Sequence, residues 1–132
     1  MPVRGVRGAT TVDANEAGAI LRATRELLVE MVARNGIDVG DLAAGYFTVT
    51  DDLNAAFPAQ AARELGWGHV PLLDAREIPV PGSLPRCIRV MLLWNTDRSP
   101  KDVAHIYRNE AVSLRPDLVA AGADPGERKD SA

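Results

Sequence analysis

The sequence is poor in the residues that build disulfides and metal centres. Its 132 residues include one cysteine, Cys87, and two histidines, His69 and His105. A single cysteine excludes an intrachain disulfide and a cysteine metal cluster, and two distant histidines give no argument for zinc. We therefore expect no metal site in this protein.

Long apolar runs are also missing. No stretch reaches the roughly 18 apolar residues of a membrane span, and residues 1–12 lack the apolar segment of a signal peptide. The formal net charge of -3 does not indicate nucleic acid or an anionic membrane as a partner. We expect a cytoplasmic protein with neither of these partners.

Positive charge, in contrast, is carried almost entirely by arginine. Thirteen arginines stand against two lysines, Lys101 and Lys129. A guanidinium makes paired hydrogen bonds to a carboxylate, which an ammonium group cannot do. Genome composition is the favoured explanation for the arginines as a group, although the same bias suits a protein that holds carboxylates.

The spacing of apolar residues predicts one α+β domain over residues 1–118, followed by a flexible tail over 119–132. An apolar stripe from Ile20 to Val32 predicts an amphipathic helix of about 20 residues, which Asn35-Gly36 ends. Asp13 and Glu16 before it have capping-box spacing. Turns too short for crossover helices favour a mixed sheet with the long helix on one face. Strands are predicted at 3–9, 43–50, 69–73, 87–94 and 111–114, and short helices at 58–65 and 99–106.

Arg89 is the most informative position. It interrupts the apolar strand 87–94 (CIRVMLLW), which is apolar on both faces and is therefore predicted to be central in the sheet. A charge in such a strand is costly unless it is paired or faces a ligand. The residues alone leave two interpretations open: a solvent-facing or salt-bridged arginine, and a ligand contact.

Four further residues are weaker candidates. Arg7 lies beside glycine in the first strand, Glu77 precedes a proline-rich loop, Tyr107 ends a predicted short helix, and Arg115 precedes Pro116. Together with Arg89, these residues form a set of three arginines, one glutamate and one tyrosine, and the set contains no nucleophile–base pair. Such a set can bind a small polycarboxylate, or stabilise a reaction that has no covalent intermediate.

Three segments carry a resemblance to a known family. VRGVRGATTV at the start, FPAQAARELGWGHVPLLDAREIPVPGSLPRCIRVMLLWNTD in the middle and HIYRNEAVSLRPDL near the end resemble the monofunctional chorismate mutases of the AroH class. The resemblance implies a homotrimer that forms a pseudo-α/β-barrel with active sites between chains. It also implies conversion of chorismate to prephenate in phenylalanine and tyrosine biosynthesis, by a pericyclic rearrangement without a cofactor.

The resemblance also assigns roles. It implies that Arg89 donates to the ether oxygen, that Arg7 and Tyr107 hold a substrate carboxylate, and that Glu77 accepts a hydrogen bond from the ring hydroxyl. Electrostatic stabilisation by Arg89 and positioning of the substrate would then drive the reaction. The other substrate-binding residues it implies are Phe57, Ala59, Arg63, Leu72, Leu73, Asp74, Ala75, Arg76, Leu114 and Arg115.

Two positions depart from the family pattern. Gln60 stands where the family often has lysine, and Asp74 where it often has a small neutral residue. An aspartate beside a dianionic substrate would be repelled unless it is paired, so we expect Asp74 to turn toward Arg63 or Arg76, or to contribute its backbone. The alternative functions are a non-catalytic trimeric sensor of a cyclic dicarboxylate and, more weakly, a structural partner in a larger shikimate-pathway assembly.

Overall fold

The computed structural model describes residues 1–114. Arg115 and the predicted tail at 119–132 lie outside the described residues, and the domain boundary at 118 stays a prediction. The described segment contains five strands and two α-helices, connected by short 3₁₀ turns. The strands are β1 (Val3–Thr11), β2 (Leu42–Val49), β3 (Leu72–Arg76), β4 (Cys87–Asn95) and β5 (Ile106–Tyr107). The helices are α1 (Ala17–Asn35) and α2 (Ala59–Glu64), and the 3₁₀ turns are Val39–Asp41, Pro100–Asp102 and Asn109–Leu114.

The strands form one mixed sheet in the order β3-β2-β4-β1-β5. The central strand β4 runs antiparallel to both β1 and β2, while the outer pairs β2–β3 and β1–β5 are parallel. The parallel pair β2–β3 is joined by the segment that contains α2, as a parallel connection requires. The predicted α+β class, the mixed sheet and the central position of residues 87–94 are confirmed.

Helix α1 covers one face of the sheet. Leu27, Leu28 and Met31 of its apolar stripe are fully buried and belong to one core cluster with Phe47 of β2 and Leu92 of β4. The helix ends at Gly36, which adopts a left-handed conformation with φ 66°. Backbone N–H groups at this cap donate to the carbonyl oxygens of Ala33 and Val32. The predicted helix and its glycine stop are confirmed.

The other face of the sheet has no helix across it among residues 1–114. In β4 the residues that face α1, such as Val90 and Leu92, are buried. On the opposite face Arg89 is exposed, and Met91 and Leu93 are half-buried. The strand is central in the sheet, yet only one of its two apolar faces is fully covered within residues 1–114. Side chains alternate across a strand, so an unbroken apolar run does not reveal which face lacks a second layer.

Helix boundaries differ from the sequence predictions in two places. The predicted capping box does not form. The N-cap of α1 is Glu16 and not Asp13, and the Glu16 side chain makes no capping hydrogen bond. The predicted helix at 99–106 shrinks to a 3₁₀ turn, Pro100–Asp102. Tyr107, expected at a helix end, instead lies in β5, because its segment pairs with Gly8 and Ala9 of β1.

Strand boundaries differ in two further places. The strand predicted at 69–73 begins later, at Leu72, and runs to Arg76, since it pairs with β2 from Gly45 to Val49. Residues 111–114, predicted as a strand, belong to the 3₁₀ helix Asn109–Leu114. For β3, a strand distant in sequence decides the bounds of a segment that has little periodicity of its own.

The buried amide of Asn35 connects α1 to the segment leading into β5. Its Nδ2 donates to the carbonyl oxygens of Met31 and Ala104, each at 2.9 Å, and its Oδ1 accepts from the N–H of Ala104 at 2.8 Å. Asn35 is 1% exposed, so water cannot replace these bonds. This side chain therefore fixes how the end of α1 meets the strand that carries Tyr107.

We predict that Asn35→Ala lowers the free energy of unfolding by about 3 kcal/mol, because it leaves buried backbone groups without partners. The matched control is Asn15, whose exposed amide also makes three hydrogen bonds. Asn15→Ala should cost less than about 1 kcal/mol, because water can take over its bonds. Urea denaturation at one protein concentration measures both, and equal losses would contradict the prediction.

Asp74 connects β3 to the start of α2. Its Oδ1 accepts from the backbone N–H of Ala59 at 3.0 Å. Burial raises the pKa of the Asp74 carboxyl, and it outweighs the opposite effects of this hydrogen bond and of the Arg63 guanidinium. The carboxylate therefore points to α2 and away from the open face of the sheet, and its ionised form carries a net cost.

The pKa shift gives a pH-dependent prediction. A carboxyl whose pKa is higher in the folded state stabilises the fold fully below its unfolded pKa of about 3.9, and this contribution is lost as the pH rises through the folded value. Asp74→Asn keeps an acceptor for Ala59 without the charge. We expect it to increase the free energy of unfolding at pH 7 and to change it much less at pH 3.5.

Urea denaturation at both pH values tests this expectation, with exposed Asp51→Asn as the control for the removed charge. A loss of stability at pH 7 for Asp74→Asn would show that the ionised carboxylate is favoured in the folded state.

Candidate active site

A cleft of about 320 Å³ lies on the open face of the sheet. Four strands and the loop after β3 contribute to it, so its walls come from segments far apart in the sequence. Four of the sequence-predicted site residues, Arg7, Glu77, Arg89 and Tyr107, meet here, and Leu114 lies at its edge. The remaining lining residues are Gly8, Ala9, Tyr46, Thr48, Val90 and Met91.

Strand register brings these side chains together. Arg89 in β4 lies opposite Ala9 of β1 on one side and Thr48 of β2 on the other. Ala9 in turn lies opposite Tyr107 of β5. Paired residues share a face of the sheet, so a small alanine separates the arginine from the tyrosine and leaves room between them. The cleft follows directly from this alignment.

Glu77 is held at the cleft by three contacts. Its Oε2 accepts a hydrogen bond from the Thr48 hydroxyl at 2.6 Å and lies 3.7 Å from Nε of Arg89. Its backbone N–H donates to the carbonyl of Val49 at 2.8 Å. Arg89 is thus paired with Glu77 and faces the cleft, so the salt bridge is confirmed and the ligand contact stays a prediction.

The ion pair between Arg89 and Glu77 is loose and wet. The side chains are 48% and 30% exposed, respectively, so solvent screens their attraction. Pairs of this kind contribute about 0–1 kcal/mol to stability. Arg89 therefore remains available as a cation for a bound anion or a developing negative charge.

Arg7 is positioned through its backbone. Its N–H donates to Nδ1 of His105 at 3.0 Å, so the imidazole occupies a place beside β1 just before β5 begins. His105 therefore supports the strand that carries Arg7. His69 is exposed at the surface, and its Nε2 lies 3.3 Å from the carbonyl oxygen of Val39.

The segment after Tyr107 is bonded to the end of β1. The N–H of Arg108 donates to the carbonyl of Ala9 at 2.9 Å, and Nδ2 of Asn109 donates to Oγ1 of Thr10 at 3.1 Å. The Arg108 guanidinium also pairs with Glu30 of α1. These contacts direct the chain so that Leu114, the last described residue, reaches the edge of the cleft.

Cys87 lies two residues before Arg89 in β4 and is 2% exposed. Burial raises the pKa of its thiol, although the nearby Arg89 opposes this effect. The thiol is therefore protonated at neutral pH and is a poor nucleophile. Cys87 is thus a buried, structural residue of β4.

The other predicted substrate-binding residues lie outside the cleft of the single chain. Leu73 and Ala75 share its face one strand further out, and Leu73 is 63% exposed. Phe57 is 68% exposed beside the start of α2. The residues not brought into the cleft are Phe57, Ala59, Arg63, Leu72, Leu73, Asp74, Ala75 and Arg76, and Arg115 is outside the described residues.

The cleft residues that were not singled out from the sequence include Tyr46, Thr48 and Met91. Alternation along the predicted strands 43–50 and 87–94 could have placed Tyr46 and Thr48 on one face, and Met91 on the face of Arg89. It could not show that these faces meet Glu77 in one cleft. Gln60, the other departure from the family pattern, is exposed and donates to Oε2 of Glu64 at 3.2 Å.

Residues 1–114 contain neither a metal-binding group of side chains nor a membrane-spanning helix. No three side chains of the histidine, cysteine, aspartate or glutamate type are grouped there in a way that could hold a metal ion. No helix in the same range has both the length and the apolar character to cross a membrane.

Known proteins share both the sequence and the fold. The family model for chorismate mutase type I matches residues 3–118. Chorismate mutase AroH from Thermus thermophilus is 60% identical over 120 residues, which are 90% of this chain and 98% of that protein. Chorismate mutase AroH from Bacillus subtilis (strain 168) is 42% identical over 119 residues, covering 89% and 94% of the two chains.

A solved structure of chorismate mutase from Clostridium thermocellum superposes with a TM-score of 0.82 at 51% sequence identity, covering 83% of this chain and 98% of that one. The match thus extends over nearly the whole length of each of these proteins, and the family model includes all four polar residues that converge in the cleft. The chain belongs to the chorismate mutase type I family.

Proposed function

We propose that this chain catalyses the rearrangement of chorismate to prephenate in the cleft on the open face of its sheet. The observation that carries the proposal is the convergence of Arg7, Glu77, Arg89 and Tyr107 in one cleft. Family membership and the names of the relatives support the same reaction. The reaction would supply prephenate for phenylalanine and tyrosine biosynthesis.

The chemistry requires no acid, base or nucleophile. One carbon–oxygen bond breaks and one carbon–carbon bond forms within a single molecule, so the protein must hold a folded substrate and stabilise a polarised transition state. Negative charge grows on the ether oxygen as its bond to carbon breaks. We assign Arg89 to that oxygen, since a fixed cation there stabilises the transition state more than the ground state.

The remaining polar residues would hold the substrate. Arg7 and Tyr107 lie on adjacent strands and are suited to one substrate carboxylate, which a guanidinium can bind through two hydrogen bonds. Glu77 would accept the hydrogen bond of the ring hydroxyl. Leu114 at the edge, followed by Arg115, would close the site from the C-terminal side.

We infer that the active unit is a homotrimer that forms a pseudo-α/β-barrel. Apolar side chains on the open face are exposed in the single chain, including Tyr46 at 42% and Leu73 at 63%. A neighbouring chain that covered them would also bring its α2–β3 region to the cleft. Its Phe57, Ala59, Arg63, Leu72, Leu73, Asp74, Ala75 and Arg76 would then complete the wall that the single chain lacks.

A non-catalytic sensor of a cyclic dicarboxylate is the less favoured alternative. A sensor needs residues for the carboxylates but has no use for a cation at the ether oxygen. Turnover of chorismate by the purified protein, without added metal or cofactor, is the experiment that separates the two functions. The cytoplasmic location stays a prediction from the sequence.

We predict that Arg89→Ala lowers kcat at least about a hundredfold while KM changes much less, because the interaction is made mainly in the transition state. Steady-state loss of chorismate absorbance gives both constants. Arg25→Ala, which removes an exposed arginine on α1, is the control and should leave both unchanged. An effect of Arg89→Ala confined to KM would reduce Arg89 to a ground-state binding residue.

We also predict that Leu73→Glu disrupts the trimer and lowers turnover, because it places a charge in the proposed interface. Val29 gives a matched control, since it is 51% exposed on α1 and lies away from the open face. Val29→Glu should leave the trimer and its turnover intact. Sedimentation velocity measures the mass of both variants, and a fully active wild-type monomer would refute the interface.

A further inference from the structure

Thr48 makes the shortest hydrogen bond in the cleft. Its hydroxyl donates to Oε2 of Glu77 at 2.6 Å, while Nε of Arg89 stands 3.7 Å from the same oxygen. The first distance is that of a strong bond to a carboxylate, and the second is too long for a hydrogen bond. The threonine, more than the arginine, therefore determines where the carboxylate lies.

The position of Thr48 suits this task. It is half-buried in β2, directly opposite Arg89 in β4 and on the same face of the sheet. Its β-branched side chain is restricted in rotation, so the hydroxyl is held in a defined direction. Within residues 1–114, Oε1 of Glu77 has no hydrogen-bond partner, and it remains available as the acceptor for a ligand.

Without the hydroxyl, the nearest attraction for the Glu77 carboxylate is Arg89. A carboxylate and a guanidinium that are free to approach form a close, two-pronged pair. Such a pair would neutralise the charge that faces the ether oxygen. It would also occupy the acceptor that the ring hydroxyl needs, so one hydroxyl group controls two interactions with the substrate.

We propose that Thr48 is a positioning residue, which holds Glu77 away from Arg89 and keeps one carboxylate oxygen directed to the ring hydroxyl of the substrate. The inference rests on the proposed function, because it assigns Glu77 to that hydroxyl. Thr48 itself need not touch the substrate.

The kinetic test uses Thr48→Val, which removes the hydroxyl at nearly constant shape and suits a strand. We expect kcat/KM to fall about ten- to a hundredfold, the usual range for a lost hydrogen bond to a charged group. Thr48→Ser, which restores the hydroxyl, should recover most of the loss. Unchanged thermal denaturation and sedimentation of Thr48→Val would exclude a folding defect.

A double-mutant cycle with Glu77→Gln separates positioning from a merely structural role. If Thr48 acts through the Glu77 carboxylate, Thr48→Val should lower kcat/KM less than about threefold in the Glu77→Gln background, since neighbours that act together are non-additive. The same ten- to hundredfold loss in both backgrounds would overturn the proposal. Wild-type kcat/KM in Thr48→Val would do so as well.

A binding experiment keeps the inference testable if the proposed function fails. Calorimetry compares prephenate, which carries a ring hydroxyl, with a cyclic dicarboxylate of similar shape that lacks it. Thr48→Val should weaken prephenate binding about tenfold or more and leave the other ligand nearly unchanged. Equal weakening of both ligands would refute the role of Thr48, whereas prephenate binding without chorismate turnover would refute the enzyme alone.

Discussion

One-sided burial of the sheet is the constraint on which the rest of the structure depends. Helix α1 removes one face from water, and the apolar side chains of β1, β2 and β4 that point to it form the core. Alternation along the same strands sends every second residue to the opposite face. Arg7 and Arg89 can therefore stand within well-packed strands without the cost of a buried charge. The fold provides a rigid support, and the open face provides the chemistry.

Electrostatics in the cleft are arranged for reaction more than for stability. The Arg89–Glu77 contact is exposed and long, so it contributes little to folding. The neutral Thr48 hydroxyl donates to the carboxylate of Glu77 without adding charge to the cleft. A preorganised group, which stabilises a developing charge, already points in the right direction before the reaction begins. The hydrogen bond of Thr48 gives Glu77 such an orientation.

The sequence predicted well those features that depend on local pattern. The periodicity from Ile20 to Val32 and the glycine at 36 were sufficient for α1, and the apolar run around Arg89 was sufficient for the central strand. Arg89 stood out because a charge in such a run is unusual. Its two interpretations could not be separated from the residues, because both its partner and its cleft come from other segments.

Features that depend on distant pairing were not predictable in this way. Residues 106–107 have no strand pattern of their own and become β5 only through their parallel pairing with Gly8 and Ala9. Thr48 is ordinary in a strand, and its importance comes from Glu77, 29 positions away. The proposed wall around Phe57 and Leu73 cannot be tested in one chain, because the residues assigned to it lie outside the single-chain cleft.

The two halves of the cleft differ in how they are held. Arg89 and Thr48 lie on β4 and β2, which exchange continuous strand hydrogen bonds deep in the sheet. Tyr107 lies on a two-residue strand, and it is kept in place largely by bonds that Arg108 and its neighbours make to β1 and α1. Segments with few core contacts open at lower free energy than the strands they pair with. The side of the cleft that carries Arg89 and Thr48 is therefore built on continuously paired strands, while the side that carries Tyr107 can yield locally. This division suits an enzyme that must admit a substrate and yet keep Arg89, the residue proposed to face the ether oxygen, fixed.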